Sequence, residues 1–220
     1  MKLKEIVPWG RSLAEYKLMF ALSESDLGRR ILGCGDGPAS FNAEMTALGH
    51  SVVSVDPLYQ FSSEQIRQRV QETYEPVVSQ VRQNSERYVW KTFQDADELG
   101  AARLAAMETF LQDYEAGRYR FQALPELALA DRSFDLCVCS HLLFTYSEHL
   151  PLDFHIVALR ELLQVAAEVR IFPLLDLKCE ISPHLDAVIE VMSKDGAAAQ
   201  VRAVDYEFQK GGNQMLVLRR

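Results

Sequence analysis

Residues 31–38 read ILGCGDGP, an apolar pair followed by three glycines at alternate positions and then a proline. Proline is tolerated in the first turn of a helix, where its missing N–H is not needed. The segment therefore predicts a strand, a tight turn and the start of a helix. The next apolar run, residues 51–55, is short and β-branched, as in a parallel strand buried on both faces. It ends at Asp56 and Pro57, where a second βα unit begins.

The same alternation of strands and helices continues towards the C-terminus. Further strands are predicted at residues 119–123, 134–139 and 168–172, with a helical pattern before the last of them. This alternation predicts an α/β fold with a doubly wound, mostly parallel sheet. Residues 201–208 and 214–218 flank a glycine-rich turn, which predicts a final antiparallel hairpin. We expect residues 1–220 to form a single domain.

A long segment, residues 57–118, separates the second and third predicted strands and exceeds an ordinary βα connection. Apolar side chains recur at helical spacing in residues 63–82 and 99–115, so we predict a helical insertion. Pro76 should kink or end the first of these helices. Two interpretations stay open: a lid over the site, or a crossover helix with structural decoration. One apolar stripe could also be a homodimer seam, and it comprises Leu104, Met107, Leu111 and Tyr114.

The glycine turn and Asp56 together predict a nucleotide site. In an open α/β sheet, ligands bind beyond the carboxyl ends of the strands, close to N–H groups at a helix start. Asp56 follows Gly35 by 21 positions, at the end of the next strand, where a carboxylate can accept hydrogen bonds from ribose hydroxyls. The alternatives are a plain glycine turn and an aspartate that only precedes a proline. The third glycine of a dinucleotide motif would fall at Pro38, which disfavours a nicotinamide enzyme.

In these motifs the chain resembles the class I S-adenosylmethionine-dependent methyltransferases, and in particular their small-molecule branch. The resemblance rests on residues 31–37, on Ser54-Val55-Asp56, on Leu124-Pro125 and on residues 133–136. It extends from about Arg29 to the C-terminus and is interrupted by residues 57–118. It implies a seven-stranded Rossmann-like sheet and S-adenosylmethionine as the cofactor. The family often has an acidic residue just ahead of the Leu-Pro pair, whereas this chain offers Gln122.

The resemblance also implies roles for individual residues. Asp56 would hold the ribose, Pro57 and Leu58 would pack near the adenine, and Asp135 would brace the glycine loop. The remaining cofactor-binding residues implied are Gly33, Cys34, Gly35, Asp36, Gly37, Ala123, Leu124 and Ser140. Arg11 precedes an amphipathic stretch and would meet the cofactor carboxylate, the alternative being an exposed arginine before a helix.

His141 directly follows the fourth predicted strand and is the candidate catalytic residue. Methyl transfer depends mainly on holding the acceptor close to the methyl group, and a general base helps when the acceptor is a hydroxyl or a protonated amine. The alternative is a polar residue that caps the strand. Tyr146, His149 and His155 follow on the same side and are candidate acceptor-binding residues, although loops and helix starts also need polar side chains.

The amino-acid composition excludes some classes of binding partner and favours others. The formal net charge of -8 argues against a nucleic-acid footprint, so a small-molecule acceptor is expected. The four cysteines form no CxxC pair, and we expect reduced thiols and no metal site. No apolar run approaches the roughly 20 residues of a membrane span, and residues 1–9 lack the features of a signal peptide, which predicts a cytoplasmic protein. The rival function is a non-catalytic protein that binds S-adenosylmethionine or a partner.

Overall fold

The computed structural model describes residues 9–220, and the prediction made for residues 1–8 lies outside this range. One seven-stranded sheet has the strand order β3-β2-β1-β4-β5-β7-β6, in which only β7 runs antiparallel to its neighbours. The strands are β1 Ile31–Cys34, β2 Val52–Val55, β3 Tyr119–Arg120, β4 Phe134–Ser140, β5 Ala166–Phe172, β6 Ala198–Ala203 and β7 Gln214–Arg219. The predicted doubly wound, mostly parallel α/β sheet is confirmed.

Seven α-helices are assigned within the described part of the chain, and they cover both faces of the sheet. They are α1 Leu13–Met19, α2 Glu24–Leu27, α3 Phe41–Ala47, α4 Ser63–Gln83, α5 Ala96–Asp113, α6 Leu152–Val165 and α7 Leu185–Lys194. None of these helices is long and apolar enough to cross a membrane.

The core consists of two apolar layers, one on each face of the sheet. Along β4, Leu136 and Val138 face the layer formed with α1 and α3, while Cys137 and Cys139 face the layer formed with α6 and α7. Both faces of β4 are therefore buried, as its nearly continuous apolar run requires. All four cysteines are unpaired thiols, and Cys179 alone among them is not fully buried.

The insertion contains the crossover helix between β2 and β3. Helix α5 packs against α3 and α4, and its Met107 and Leu111 are buried in a cluster with Tyr59 and Ile66. A homodimer seam through these two side chains is therefore wrong, because the chain's own residues cover them. Only Leu104 of the predicted stripe is exposed as a large apolar side chain, at 37%.

Helix α4 continues from Ser63 to Gln83 with Pro76 inside it, so the predicted end of the helix at this proline is wrong, and the predicted kink stays a prediction. Pro76 lies on the exposed side of the helix, where water can satisfy the carbonyl group that loses its N–H partner. The helix begins with a capping box at Ser62, and its opposite face buries Val77 and Val81. Tertiary packing of this face outweighs the local preference of one proline.

Two predicted strand ends and the predicted role of one side chain also need correction. Strand β3 ends at Arg120, because the chain then leaves the sheet edge to form a turn around Ala123. Strands β6 and β7 pair as the predicted antiparallel hairpin, but β6 ends at Ala203 and β7 begins at Gln214, so residues 204–213 form its loop. Asp135 braces the start of β1 through Arg30, at the sheet edge away from the glycine loop.

Candidate active site

The glycine turn after β1 has backbone angles that residues with a Cβ atom adopt only with strain. Gly35 and Gly37 have φ values of 68° and 53°, in the left-handed region. A Cβ atom on Gly35 would approach Leu142 Cδ2 to 2.7 Å, whereas one on Gly37 would meet no atom within 4 Å. Gly33 is covered by the side chain of Asp36, because a Cβ there would lie 1.8 Å from Asp36 Oδ2. The turn thus exposes the backbone of Gly35 and Gly37 to the space beyond the sheet.

Asp56 lies at the end of β2 with both carboxylate oxygens fixed by backbone donors. Oδ2 accepts the N–H of Gly37 at 2.9 Å and Oδ1 accepts the N–H of Leu58 at 2.7 Å. Burial raises the pKa of this carboxyl, and the two N–H groups partly offset the effect. Each oxygen keeps a lone pair, so the fixed carboxylate can accept two further hydrogen bonds.

One cavity of about 560 Å³ lies beyond the carboxyl ends of β1, β2, β4 and β5. Most of the predicted cofactor residues line it, together with Gln122, whose Oε1 accepts the N–H of Ala128 at 2.9 Å. The lining residues that the sequence predicted for the cofactor are Arg11, Cys34, Gly35, Asp36, Gly37, Asp56, Pro57, Leu58, Ala123, Leu124 and Ser140. Gly33 is the one predicted cofactor residue that Asp36 separates from the cavity.

The cavity also has an apolar, aromatic wall, which comes mainly from the insertion and the β6–β7 loop, with Trp9 and Leu177 from other segments. Tyr88 and Phe208 stack with ring centroids 4.6 Å apart and an interplanar angle of 14°. The backbone N–H of Val89 donates to Phe208 O at 2.7 Å, which joins the two segments above the sheet. The apolar lining residues of this wall are Trp9, Val77, Val81, Tyr88, Leu99, Leu177 and Phe208.

His141 lines the cavity directly after β4. Its backbone has a φ of 50°, and its N–H donates to Phe172 O at 2.7 Å, which holds the residue at the strand end. The Nδ1 atom and the Ser140 hydroxyl are hydrogen-bonded at 2.9 Å. Burial, followed by the positive charges of Arg11 and Arg103, keeps the pKa of His141 well below its usual value. The imidazole is therefore neutral near pH 7, with hydrogen on one ring nitrogen and a lone pair on the other.

Two arginines near the cavity lie close enough to the buried carboxylate of Glu15 for its negative charge to act on both, but only one of them bonds it. Arg103 of α5 is buried and binds both carboxylate oxygens of Glu15, and one of its nitrogens also donates to Tyr206 Oη at 3.4 Å. Arg11 donates to Trp9 O at 3.2 Å, while its buried Nε has no hydrogen-bond partner. An unpartnered guanidinium N–H in a cavity wall is suited to an anionic ligand group.

Thr145 is a site residue that the sequence did not single out. It follows β4 in a short 3-10 helix, is 7% exposed and lines the cavity, and its hydroxyl has no hydrogen-bond partner. A buried unpaired hydroxyl costs about 1–3 kcal/mol, so a ligand group that bonded it would recover that energy. A lone threonine in a loop gives no pattern that sequence reasoning could have used.

Two of the three predicted acceptor residues lie elsewhere. Tyr146 lines the cavity, as predicted. His149 is exposed to solvent, and His155 is buried under α6, with its ring stacked on Phe144 and its Nδ1 3.0 Å from Pro151 O. Placing His149 and His155 at the acceptor site is therefore a prediction that the structure does not support. The 3-10 helix after β4 turns Tyr146 inward and His149 outward, a choice that sequence spacing does not determine.

No group of three or more histidine, cysteine, aspartate or glutamate side chains with metal-site geometry occurs in residues 9–220.

Comparison with known proteins supports the fold. No family model matches the chain. An uncharacterized protein of Methanocaldococcus jannaschii, MJ0045, is 32% identical over 223 residues, with 100% of this chain and 99% of that protein covered. Among solved structures, a TehB-like SAM-dependent methyltransferase from Corynebacterium glutamicum matches 94% of this chain and 86% of its own, with a TM-score of 0.51 and 15% identity.

The fold is that of the class I S-adenosylmethionine-dependent methyltransferases, for which S-adenosylmethionine is the cofactor. By sequence, the chain belongs to the same family as the M. jannaschii protein, with which it aligns from end to end.

Proposed function

We propose that this protein transfers a methyl group from S-adenosylmethionine to a small acceptor with a largely apolar body. The observation that carries the proposal is the continuity of one cavity, which joins the glycine turn and Asp56 to His141 and the aromatic wall. Such a cavity has room for a nucleotide at one end and a second molecule at the other. Fold alone would not support this function, since one fold hosts many activities.

The chain's own residues fit the cofactor. The fixed carboxylate of Asp56 suits a pair of ribose hydroxyls, and the open face of Gly37 allows a close approach to the backbone. The unpartnered Nε of Arg11 suits a carboxylate. When bound, the cofactor supplies an electrophilic methyl group on a positively charged sulfur.

His141 is the proposed general base. Its neutral imidazole would take the proton of an acceptor hydroxyl or amine while the acceptor atom bonds to the methyl carbon and the carbon–sulfur bond breaks. Leu142 and the wall of Tyr88 and Phe208 would exclude water from the reacting atoms.

Several features favour a small apolar acceptor. The wall of Tyr88, Phe208, Val77 and Val81 would contact an apolar body, and the Thr145 hydroxyl is an unpaired polar group in the same cavity. The net charge of -8 disfavours nucleic acid. We infer a metabolite-sized acceptor and retain the cytoplasmic location as a prediction.

The test is a screen of metabolite extracts with methyl-labelled S-adenosylmethionine. We expect label in a small apolar product, and turnover at least about 100-fold lower in His141→Gln, the usual scale of general-base catalysis. His149→Gln is the matched control, because His149 is exposed outside the cavity, and it should keep full activity. Cofactor binding without turnover on any extract would support the non-catalytic alternative instead.

A further inference from the structure

Two glutamine side chains line the cavity close to Asp56, on the side away from the glycine turn. Gln60 ends the short 3-10 helix that begins directly after Asp56. Gln122 follows Arg120, the last residue of β3, and the N–H of Asp56 donates to Arg120 O at 3.4 Å. Both glutamines therefore lie beyond the β2–β3 part of the sheet, whereas the glycine turn follows β1.

Backbone groups determine which end of each amide is left for a ligand. The N–H of Ala128 can only donate, so the Gln122 atom that it meets at 2.9 Å is Oε1. The carbonyl of Pro57 can only accept, so the Gln60 atom that lies 2.9 Å from it is Nε2. Within residues 9–220, Gln122 Nε2 and Gln60 Oε1 have no hydrogen-bond partner. Gln122 thus offers a ligand its donor end, and Gln60 offers its acceptor end.

The order of the strands directs the base of the cofactor towards these two amides. A ribose on Asp56 carries the base at C1′ and the sulfur chain at C5′, and the two substituents leave the ring in different directions. In the proposed function, on which this step rests, the methyl group must reach His141 after β4. Because the strand order is β3-β2-β1-β4, the base then points towards β3. Leu58 and Leu124 line the same cavity and offer apolar contact to a flat ring.

We propose that Gln122 and Gln60 select the adenine base of the cofactor by recognising two neighbouring atoms on one edge of the ring. Gln122 Nε2 donates to the ring nitrogen N1, and Gln60 Oε1 accepts from the 6-amino group. Hypoxanthine has the reverse pattern, with an N–H at N1 and a carbonyl oxygen at position 6. The pair therefore favours adenosyl over inosyl compounds. Neither amide contacts the reacting atoms, so the pair sets cofactor affinity and not the transfer step.

Calorimetric titration of the full chain with S-adenosylhomocysteine and S-inosylhomocysteine tests the selection. The two compounds differ only at this edge of the base. We expect the inosyl compound to bind at least about tenfold more weakly, because both polar contacts are then mismatched.

Gln122→Glu tests the donor. Glutamate has the shape of glutamine and can still accept from Ala128, but its carboxylate has no donor for N1 of adenine. We expect S-adenosylhomocysteine to bind about tenfold more weakly to this variant, and the ratio of the two affinities to fall towards 1. Gln209→Glu is the matched control, because it adds the same charge to the same cavity from the β6–β7 loop and should keep the wild-type ratio.

Gln60→Met tests the acceptor with a side chain of similar length. The probe is the analogue of S-adenosylhomocysteine with an unsubstituted purine base, which lacks the 6-amino group and keeps N1. The variant should bind S-adenosylhomocysteine about fivefold more weakly and the purine analogue as tightly as the wild type does. An equal loss for both compounds would remove Gln60 from the proposal.

The remaining outcomes separate this proposal from the proposed function. Equal affinities for the adenosyl and inosyl compounds in the wild-type protein, or an unchanged ratio in Gln122→Glu, would overturn base selection and leave the cofactor assignment intact. Tighter binding of S-adenosylhomocysteine to Gln122→Glu would also overturn it, because the side chain would then accept from the 6-amino group. The predicted selection in a protein that never methylates would confirm the role of the two amides and overturn methyl transfer alone.

Discussion

At the residue scale, Asp56 is the side chain on which cofactor binding should depend most. Asp56→Ala should weaken S-adenosylmethionine binding by about 1.5–3 kcal/mol, the scale of losing a hydrogen-bonding charged partner. Calorimetric titration measures the loss. Asp135→Ala is the control, because Asp135 pairs with Arg30 at the opposite edge of the sheet and should leave the affinity unchanged. Equal affinities in the Asp56 variant and the wild type would remove Asp56 from the site.

Asp36 should make stability depend on pH. Burial raises its pKa in the folded protein to about 7 from a usual value of 3.8, so between these values the folded state binds the extra proton. The free energy of unfolding should therefore fall, through this group, as the pH rises from about 4 to about 7. Asp36→Asn should remove that contribution, and urea unfolding at pH 5 and pH 8 measures it. An unchanged difference between the two pH values would contradict the shifted pKa.

Single residues were predictable where their role follows from short spacing. The glycine turn, Asp56 and His141 each adjoin a strand end, and the structure brings all of them to one edge of the sheet. The acceptor-binding role predicted for His155 was wrong because the local sequence does not show which way a histidine near a helix start points. The His155 side chain points into the core. Thr145 was missed for the same reason.

At the element scale, α4 shows how packing overrides a local signal. Pro76→Ala should raise the free energy of unfolding by about 1–3 kcal/mol, since an interior helical proline removes one backbone hydrogen bond and crowds the preceding turn. The unfolded chain becomes more flexible without the proline, and this reduces the gain in the free energy of unfolding. Chemical denaturation measures it, and Glu75→Ala, one exposed position away, is the control. A destabilised Pro76→Ala variant would contradict an intact helix at this position.

Sequence periodicity predicted the order of the elements but not their ends. Strand β3 is shorter than its sequence indicates because the chain turns around Ala123. Strand β6 is shorter because Phe208, beyond its end, packs against the insertion instead of pairing. Phe208 illustrates the competition: its backbone oxygen accepts from Val89, and its ring stacks on Tyr88. Contacts between segments so far apart in the chain leave no local pattern.

At the scale of the whole molecule, three distant parts of the chain complete the cavity. Residues 9–16 supply Arg11 and Tyr16, the insertion supplies Tyr88, and the β6–β7 loop supplies Tyr206 and Phe208. The buried pair of Arg103 with Glu15 links the insertion to α1 beneath them. A lid formed by residues 63–82 and 99–115 stays a prediction, and slower hydrogen exchange in these residues when cofactor and acceptor are both present would support it.

Calorimetric titration of the purified protein with S-adenosylmethionine, S-adenosylhomocysteine and NAD tests the central claim most directly. The arrangement of Gly35, Gly37 and Asp56 predicts binding of the first two compounds at one site per chain and no binding of NAD. Binding of NAD alone, or of none of the three, would contradict the assignment of this cavity to a methyl-transfer site.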